Sequence, residues 1–319
     1  MVGCGMMGVE HIHNLAITPG ARVVALADPE PRCLDVTLKA LGGAATGVRT
    51  YADAPTLAAA GGLDAVIVAS PNHTHRAVLE PLFDAGLAIL CEKPLATTIA
   101  DARWVAERAL QSGKVFWTAM EYRFMPPVAA FINQVHAGRM GRLQMLSIRE
   151  HRFPFLVKVN DWNRFSANSG GTMVEKCCHF FDLMRLIVGA EAVRVYCSGG
   201  MDVNHLDEVY DGKRPDIIDN AYTTVDFANG VRAMLDLSMF AEGAENQEEI
   251  IAVGDKARLD VTIPAGNIIF SPRTGFGQPK AVTCDHIAVD PQAQVALGLF
   301  GEAQRLTEMS RATGKSKAE

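Results

Sequence analysis

Short apolar segments alternate with amphipathic ones over roughly the first third of the chain. Four of the apolar segments are hydrophobic on both faces and are bounded by Gly, Asp or Pro, as is typical of strands buried in a parallel sheet. They are residues 21–27, 63–70, 87–92 and 114–120. The segments between them, such as residues 100–112, have helical periodicity and good helix formers. Strand and helix in repeated alternation predict a doubly wound parallel sheet, covered on both faces.

The pattern changes after about Met120. In residues 231–239 every second side chain is apolar, and polar residues such as Arg232 and Asp236 lie on the opposite face. This alternation indicates an antiparallel strand with one face in solvent. Similar segments are residues 192–198, 222–228, 248–253 and 257–263.

The two patterns predict two domains. We assign residues 1–120 to a Rossmann domain and residues 121–319 to an α+β domain with a large, mostly antiparallel sheet. A chain of 319 residues with 49% hydrophobic residues can form a core for each domain. The polar, Asp-rich segment 202–219 is expected to be an exposed loop.

A glycine-rich loop opens the chain, with Gly3, Gly5 and Gly8 at the spacing of a dinucleotide-binding turn. In such a loop the first glycine permits a tight turn, the second lets backbone N–H groups reach a pyrophosphate, and the third lets helix and strand pack closely. Because only Met1 and Val2 precede the loop, we expect the first strand to be nearly absent. Taken alone, the three glycines are also compatible with a turn that binds no ligand.

A carboxylate at the end of the next predicted strand points to the cofactor. Asp28 lies 20 residues after Gly8, where a carboxylate can accept hydrogen bonds from both ribose hydroxyls of an adenosine. Since a carboxylate there would repel a 2′-phosphate, NAD is favoured over NADP, although Arg32 could weaken this preference. The residues predicted to bind the cofactor in this part of the chain are Gly3, Gly5, Met6, Met7, Gly8 and Asp28.

Composition excludes several classes of partner. With 30 Lys and Arg against 36 Asp and Glu, the chain lacks the dense basic clusters that nucleic-acid binding needs. No apolar run approaches the roughly 20 residues that span a bilayer, and no secretory leader is visible, so we expect a cytoplasmic protein without a membrane partner. Seven irregularly spaced cysteines favour free thiols. No metal is predicted, because Cys177, Cys178 and His179 are consecutive and would point in different directions from a helix.

Four motifs, in this order, give the chain a resemblance to a known family. They are the glycine loop, residues 70–75 (SPNHTH), residues 92–95 (EKPL) and residues 170–175 (GGTMVE), the last followed by His179 and Asp182. The chain resembles the glucose–fructose oxidoreductase, inositol dehydrogenase and rhizopine-catabolism (Gfo/Idh/MocA) family of NAD(P)-dependent oxidoreductases. We expect a homodimer or homotetramer formed through the C-terminal sheet. By resemblance a further helix is expected after residues 297–309.

The resemblance implies roles for individual residues. Lys93 would be the catalytic lysine, which hydrogen-bonds the reacting hydroxyl and stabilises the developing alkoxide. The alternative without a catalytic role is that Lys93 is an exposed lysine that precedes a proline in a loop. The second and third motifs would add further cofactor contacts, namely Ser70, Asn72, His75, Glu92 and Lys93.

The segment after Gly171 can be interpreted from its residues alone. On a helical wheel Thr172, Glu175, His179 and Asp182 fall within about 80° of one another, and the rest of the segment is largely apolar. One interpretation is an i,i+4 pair of Glu175 and His179 within the core. The other, which we favour together with Lys93, is an active site in which His179 accepts a proton and Glu175 orients it or holds a neighbouring hydroxyl. By resemblance, the family usually has Asp where this chain has Glu175.

Substrate contacts are expected from side chains close to these motifs. A tryptophan face beside amide and charged groups suits a polyhydroxylated ring, although core packing of Trp162 is an equal alternative. The predicted substrate-binding residues are Tyr122, Arg123, Trp162, Asn163, Arg164 and Asp182.

The motifs together predict an NAD-dependent oxidoreductase. It would move a hydride between the nicotinamide and a secondary alcohol or ketone of a sugar, cyclitol or sugar derivative. One alternative is an NAD-assisted enzyme of the same family that breaks a glycosidic bond by elimination. Another is a dinucleotide-binding regulator without chemistry, against which the presence of both Lys93 and His179 argues.

Overall fold

A computed structural model describes residues 1–273 and the backbone of residues 285–287. The chain divides into two compact units. Unit 1 comprises Met1–Met120, Phe155–Cys178 and His205–Ile218, and unit 2 comprises Glu121–Pro154, His179–Asn204 and the described residues from Asp219 onward. The first break between the units falls at the predicted boundary, but two later segments return to unit 1. The helix expected after residues 297–309 lies outside the described residues.

The helices and strands are numbered in chain order. The α-helices are α1 (Met6–Ala16), α2 (Pro31–Leu41), α3 (Ala54–Ala59), α4 (His75–Asp84), α5 (Ile99–Ser112), α6 (Pro126–His136), α7 (Ser166–Ser169), α8 (Thr172–Glu175) and α9 (Cys178–Val188). The strands are β1 (Ala25–Ala27), β2 (Arg49–Tyr51), β3 (Ala65–Val68), β4 (Ala88–Cys91), β5 (Phe116–Thr118), β6 (Leu143–His151), β7 (Ala192–Gly200), β8 (Asn220–Phe227), β9 (Arg232–Ser238), β10 (Glu248–Gly254), β11 (Ala257–Ile263), β12 (Ile268–Pro272) and β13 (Asp285–Ile287).

Unit 1 is built on a parallel sheet. β3, β4 and β5 pair in parallel, as do β1 and β2. Val2 joins the two groups, because it forms parallel bridges to Ala27 and to Val68. The order across the sheet is therefore β2, β1, Val2, β3, β4, β5, which is a doubly wound arrangement. The predicted Rossmann fold is confirmed, and its first strand is reduced to one bridging residue.

The four predicted strands of unit 1 are present in shortened form as β1, β3, β4 and β5. β2 was not predicted, because it lies at the sheet edge and its residues are exposed or half-buried. The predicted helix of residues 100–112 is α5. It begins after Thr98, whose hydroxyl accepts the Asp101 N–H at 3.1 Å, and it ends before Gly113 in a left-handed conformation. Among residues 1–273 and 285–287, no helix is long and apolar enough to cross a bilayer.

Unit 2 contains an eight-stranded sheet in the order β13, β12, β11, β10, β6, β9, β8, β7. Every neighbouring pair is antiparallel except β6 with β9. The five predicted strands of this domain are β7 to β11, and the mostly antiparallel sheet is confirmed. Three strands of this sheet were missed, namely β6 at its centre, β12 and β13.

Burial along β9 follows the predicted alternation. Leu235 and Leu237 are buried against the core, whereas Arg232 lies exposed on the other face. Residues 202–214 are exposed or half-buried, in line with the expected exposed loop, whereas Pro215, Ile217 and Asp219 at its end are buried. The Asp219 carboxylate accepts N–H groups of Asp202, Val203 and Asn204 at 2.7 to 3.1 Å, and these bonds order the loop.

The predicted single helix after Gly171 is two helices. α8 ends at Glu175 and α9 begins at Cys178. The Cys177 N–H donates to the Thr172 carbonyl at 3.2 Å, five residues back, so the regular i to i−4 ladder is interrupted. One continuous helix is therefore a wrong prediction, and the 100° spacing does not apply across the break between Glu175 and His179.

Candidate functional site

The glycine loop connects Val2 to α1 by close backbone contacts. Gly3 has φ +88°, and a Cβ added there would overlap the backbone of Ala69. A Cβ on Gly8 would overlap the Gly3 carbonyl. Around Gly5, in contrast, an added Cβ meets no atom of the described chain within 4 Å. The second glycine thus leaves open the space that a pyrophosphate needs.

The groups around this space suit an anion and a ribose. Gly5 is the N-cap of α1, and its cap forms no side-chain hydrogen bond among the described residues, so the first N–H groups of an 11-residue helix remain for an anion. The Asp28 carboxylate accepts the Cys4 N–H at 2.7 Å and the Glu30 N–H at 2.8 Å. Both bonds fix the carboxylate next to the glycine loop, and its oxygens can accept further hydrogen bonds. The residues present therefore fit NAD.

The motif of residues 70–75 supports the loop after β3. The Asn72 amide is buried and donates to the Ser169 carbonyl at 3.0 Å. His75 is fully buried, with its ring nitrogens 3.0 Å from the Ser70 carbonyl and 3.3 Å from the Leu95 carbonyl. Burial lowers the pKa of His75, which keeps the ring neutral. A neutral imidazole has one N–H, so it donates to one of these two carbonyls. A cofactor contact of His75 stays a prediction.

Glu92 links the end of β4 to α1. Its Oε1 lies 2.8 Å from His11 Nε2, and its Oε2 accepts the Lys93 N–H at 3.1 Å. Burial by itself would raise the pKa of Glu92, but the His11 hydrogen bond and the Lys93 charge outweigh it and lower this pKa. The ionised carboxylate thereby fixes the position of Lys93 relative to the helix that follows the glycine loop. The Lys93–Pro94 peptide is cis.

The half-buried Lys93 and Lys158 lie beside the buried Glu175 in unit 1, and we call these three residues the lysine–glutamate cluster. Lys93 Nζ donates to the Glu175 backbone carbonyl at 3.2 Å. Lys158 Nζ lies 3.7 Å from Glu175 Oε1. Glu175 Oε2 is buried and has no hydrogen-bond partner among the residues that the structure describes. The side chain that pairs with the Glu175 carboxylate is thus Lys158.

Burial shifts both partners of the pair toward their neutral forms. It raises the pKa of Glu175, against the charges of Lys158 and Lys93. It also lowers the pKa of Lys158, and the charge of Lys93 adds to this effect while Glu175 opposes it. Burial therefore makes the ionised forms of Lys158 and Glu175 less stable than they would be in water. Polar groups that replace the lost hydration would stabilise the ionised pair.

Trp162 lies beside the cluster. Its ring centroid is 5.2 Å from Lys158 Nζ, and the ring is tilted against His73 with centroids 6.3 Å apart. The 3-10 segment Val159–Arg164 that carries Trp162 contains Asn160 and Asp161 at φ +55° and +51°. The ring thus has a cation–π contact with Lys158, and a role of Trp162 as a pocket wall stays a prediction.

Asn163 and Arg164 have structural contacts. Asn163 is 0% exposed and donates to the Leu156 carbonyl at 3.0 Å, while Arg164 is 2% exposed and donates to Glu208 Oε2 at 2.9 Å. Both side chains hold the segment between β6 and α7 in place. A substrate contact of either residue stays a prediction.

In unit 2, the His179 imidazole is held between two side chains of the segment after β5. It stacks on the buried Tyr122 ring, with centroids 4.1 Å apart and planes 8° from parallel. Its Nε2 lies 3.5 Å from Glu121 Oε1. Arg123 and Asp182, both predicted substrate contacts, form a bidentate ion pair with each other. Tyr122 therefore supports His179, and the Arg123–Asp182 pair joins α9 to the segment before α6.

Sequence reasoning missed Lys158 and His11. A signal for Lys158 was present, because it is the one charge in the apolar segment of residues 153–159 (FPFLVKV). His11 lacked such a signal, since its partner Glu92 lies 81 residues away in the chain.

The chain matches one family over most of its length. Residues 1–120 match the oxidoreductase family described by its NAD-binding Rossmann fold, and residues 132–309 match the C-terminal α/β domain of the same family. NAD, the cofactor favoured by Asp28, agrees with this description.

Individual relatives and solved structures agree with this family match. The rhizopine catabolism protein MocA of Rhizobium meliloti is 32% identical over 203 residues, which are 60% of this chain and 57% of that protein. Inositol 2-dehydrogenase 2 of Saccharopolyspora erythraea is 31% identical over 272 residues, 83% of this chain and 73% of that protein. The structure of a levoglucosan dehydrogenase in complex with NADH and L-sorbose is 20% identical, with a TM-score of 0.78 over 91% of this chain and 79% of that one. At this identity the structural likeness shows the fold.

Proposed function

Because this chain belongs to the Gfo/Idh/MocA family of NAD-binding oxidoreductases, we propose that it is a polyol dehydrogenase. It moves a hydride between the nicotinamide of NAD and a secondary alcohol or ketone of a sugar, cyclitol or sugar derivative. The observation that carries this proposal is the lysine–glutamate cluster, in which Lys93 contacts the backbone of the buried Glu175. Glu92 supports it further, because it binds both the backbone of Lys93 and His11 of α1.

The side chains have separate tasks in the reaction. Bound NAD supplies the hydride acceptor. Lys93 donates a hydrogen bond to the reacting oxygen, where negative charge develops as the hydroxyl proton leaves. His179 accepts that proton, and its stacking on Tyr122 and its contact with Glu121 keep the imidazole oriented. Reduction of a ketone uses the same groups, with His179 as the proton donor.

The names of relatives support the proposed substrate class. The relatives include inositol 2-dehydrogenases of Saccharopolyspora erythraea and of Rhizobium meliloti. A protein with a similar fold is a levoglucosan dehydrogenase. Inositol and levoglucosan share a ring with several secondary hydroxyls. A ring of this kind also suits a site with a tryptophan face and paired charges.

The first test is a search for turnover. The protein is incubated with NAD and a panel of inositols, hexoses, deoxy sugars and anhydro sugars, and with NADH and the corresponding ketones. A change in nicotinamide absorbance with at least one compound is expected. Silence across the panel in both directions would contradict the proposed activity.

A second test addresses Lys93. Lys93→Met should lower kcat by about 100-fold or more, because the charge on the reacting oxygen is then unsupported. The matched control is Lys114→Met, since Lys114 is an exposed residue between α5 and β5. Full activity of the Lys93 variant would contradict the mechanism.

A further inference from the structure

Lys158 carries a charge that the proposed mechanism does not use. Its side chain is only 29% exposed, although an isolated lysine normally extends into solvent. Its ammonium lies 3.7 Å from Glu175 Oε1 and 5.2 Å from the centre of the Trp162 ring. A lysine held largely out of solvent by a carboxylate and an aromatic ring serves to position neighbouring groups or a ligand rather than to keep the surface soluble.

The two charged groups offer hydrogen bonds that the described chain does not use. An ammonium has three N–H donors, and 3.7 Å is longer than a normal N–H···O hydrogen bond. Glu175 Oε2 is buried and lacks a hydrogen-bond donor within the described residues. Leaving a buried carboxylate oxygen unsatisfied is costly, so a hydroxyl that donates to Oε2 would lower this cost.

We propose that Lys158, Glu175 and Trp162 form a subsite for one non-reacting hydroxyl of the substrate. A hydroxyl is both a donor and an acceptor, so it can donate to Glu175 Oε2 and accept from Lys158 Nζ at the same time. The ring that carries this hydroxyl rests against the Trp162 face. Lys158 is thereby a specificity-determining residue of the site.

The location of Lys93 defines which hydroxyl is recognised. Lys93 Nζ binds the backbone carbonyl of Glu175, the residue whose side chain forms the subsite. Lys93 thus lies beside the residue whose side chain forms the subsite, and we place the hydroxyl held there next to the reacting oxygen. The inference rests on the proposed function and narrows its substrate to polyols that have a second hydroxyl on the carbon next to the oxidised one.

The test compares a substrate with its deoxy analogues. After the panel has identified a substrate, kcat/KM is measured for it and for each monodeoxy analogue with the wild-type protein and with Lys158→Met. We expect the wild type to discriminate against the analogue lacking the adjacent hydroxyl by about 10- to 100-fold. Lys158→Met should discriminate by less than about threefold, through a raised KM for the parent substrate rather than a lowered kcat.

Two further variants complete the design. Lys158→Arg keeps the charge and the donors and should restore part of the discrimination, whereas the exposed control Lys114→Met should discriminate like the wild type. Thermal denaturation and NAD titration establish that each variant is folded. If Lys158→Met does not fold, Lys158→Gln, which keeps a donor without the charge, answers the same question through its KM and its discrimination.

The outcomes separate the two proposals. Absence of turnover by the wild type defeats the proposed function itself. Turnover by the wild type, together with undiminished discrimination by folded Lys158 variants at every position, defeats the subsite and leaves the dehydrogenase activity in place.

Discussion

Gly3 and Gly5 stand two residues apart but have different surroundings. Gly5 has φ −75° and open space where a Cβ would be, whereas Gly3 has φ +88° and a neighbouring backbone in that place. Gly5→Ala should therefore leave thermal stability almost unchanged but raise the Kd for NAD by about 10-fold or more, because the methyl group enters the space of the pyrophosphate. Gly3→Ala should cost about 1–3 kcal/mol or more of folding free energy. Thermal denaturation and NAD titration of both variants separate the two effects, and unchanged NAD affinity of Gly5→Ala would contradict the assigned role of the loop.

The titration of Glu175 should be visible in stability. Burial raises the pKa of Glu175 in the folded state, so the folded chain holds this proton more tightly than the unfolded chain does. The contribution to stability is fully present below the unfolded pKa and is lost as pH rises through the folded one. Glutamine does not titrate. The melting temperature of Glu175→Gln minus that of the wild type should therefore increase from pH 4.5 to pH 8.

Glu191 provides a control of opposite sign. The hydrogen bond from Arg185 lowers the pKa of this exposed carboxylate, so its small contribution is present above the unfolded pKa and is lost on acidification. The melting temperature of Glu191→Gln minus that of the wild type should thus decrease slightly as pH rises over the same range. Parallel trends for the two variants would rule out the burial argument for Glu175.

At the scale of elements, strands were easier to predict than the break in a helix. A strand such as β9 can be recognised from the alternation of apolar and polar residues, because successive side chains point to opposite faces of the sheet. β2 has no such pattern, since it is a short edge strand with exposed residues. The break between α8 and α9 depends on one shifted hydrogen bond, from Cys177 to Thr172. A helical wheel assumes a constant 100° per residue and therefore cannot represent that shift.

β9 also allows a direct test of packing in unit 2. Leu235 is 0% exposed and Met234, its neighbour, is 38% exposed on the other face. Leu235→Ala should lower the free energy of unfolding by about 2–5 kcal/mol, because it leaves a cavity at the centre of the sheet. Met234→Ala should cost less than about 1 kcal/mol. Urea denaturation measures both, and equal effects would show that the assignment of the two faces is wrong.

At the scale of the molecule, the prediction was limited by contacts between distant segments. A change of pattern at residue 120 marks the first boundary between the units, but the return of Phe155–Cys178 and His205–Ile218 to unit 1 leaves no local trace. The site shows the same limit. Lys93 and Glu175 stood in recognisable motifs, whereas Lys158 became part of the site only through its distance to Glu175.

The outer face of the eight-stranded sheet bears on the predicted homo-oligomer. The register aligns Tyr196, Thr224, Met234, Ser147 and Ile251 in one row across five strands. Tyr196 is 68% exposed in this row, and an exposed row with this much apolar surface is typical of an interaction site. We expect light scattering to give the wild type a mass that is a multiple of 34.4 kDa.

Tyr196→Glu should shift that mass toward a single chain, because an unpaired carboxylate in a dry interface loses its hydration. The matched control is Leu110→Glu, since Leu110 is 86% exposed on α5 of the other unit. The control should keep the wild-type mass, which separates a local effect of the sheet face from a general effect of added charge. A single-chain mass for the wild type would contradict the oligomer, and an unchanged mass for Tyr196→Glu would move the interface away from this row.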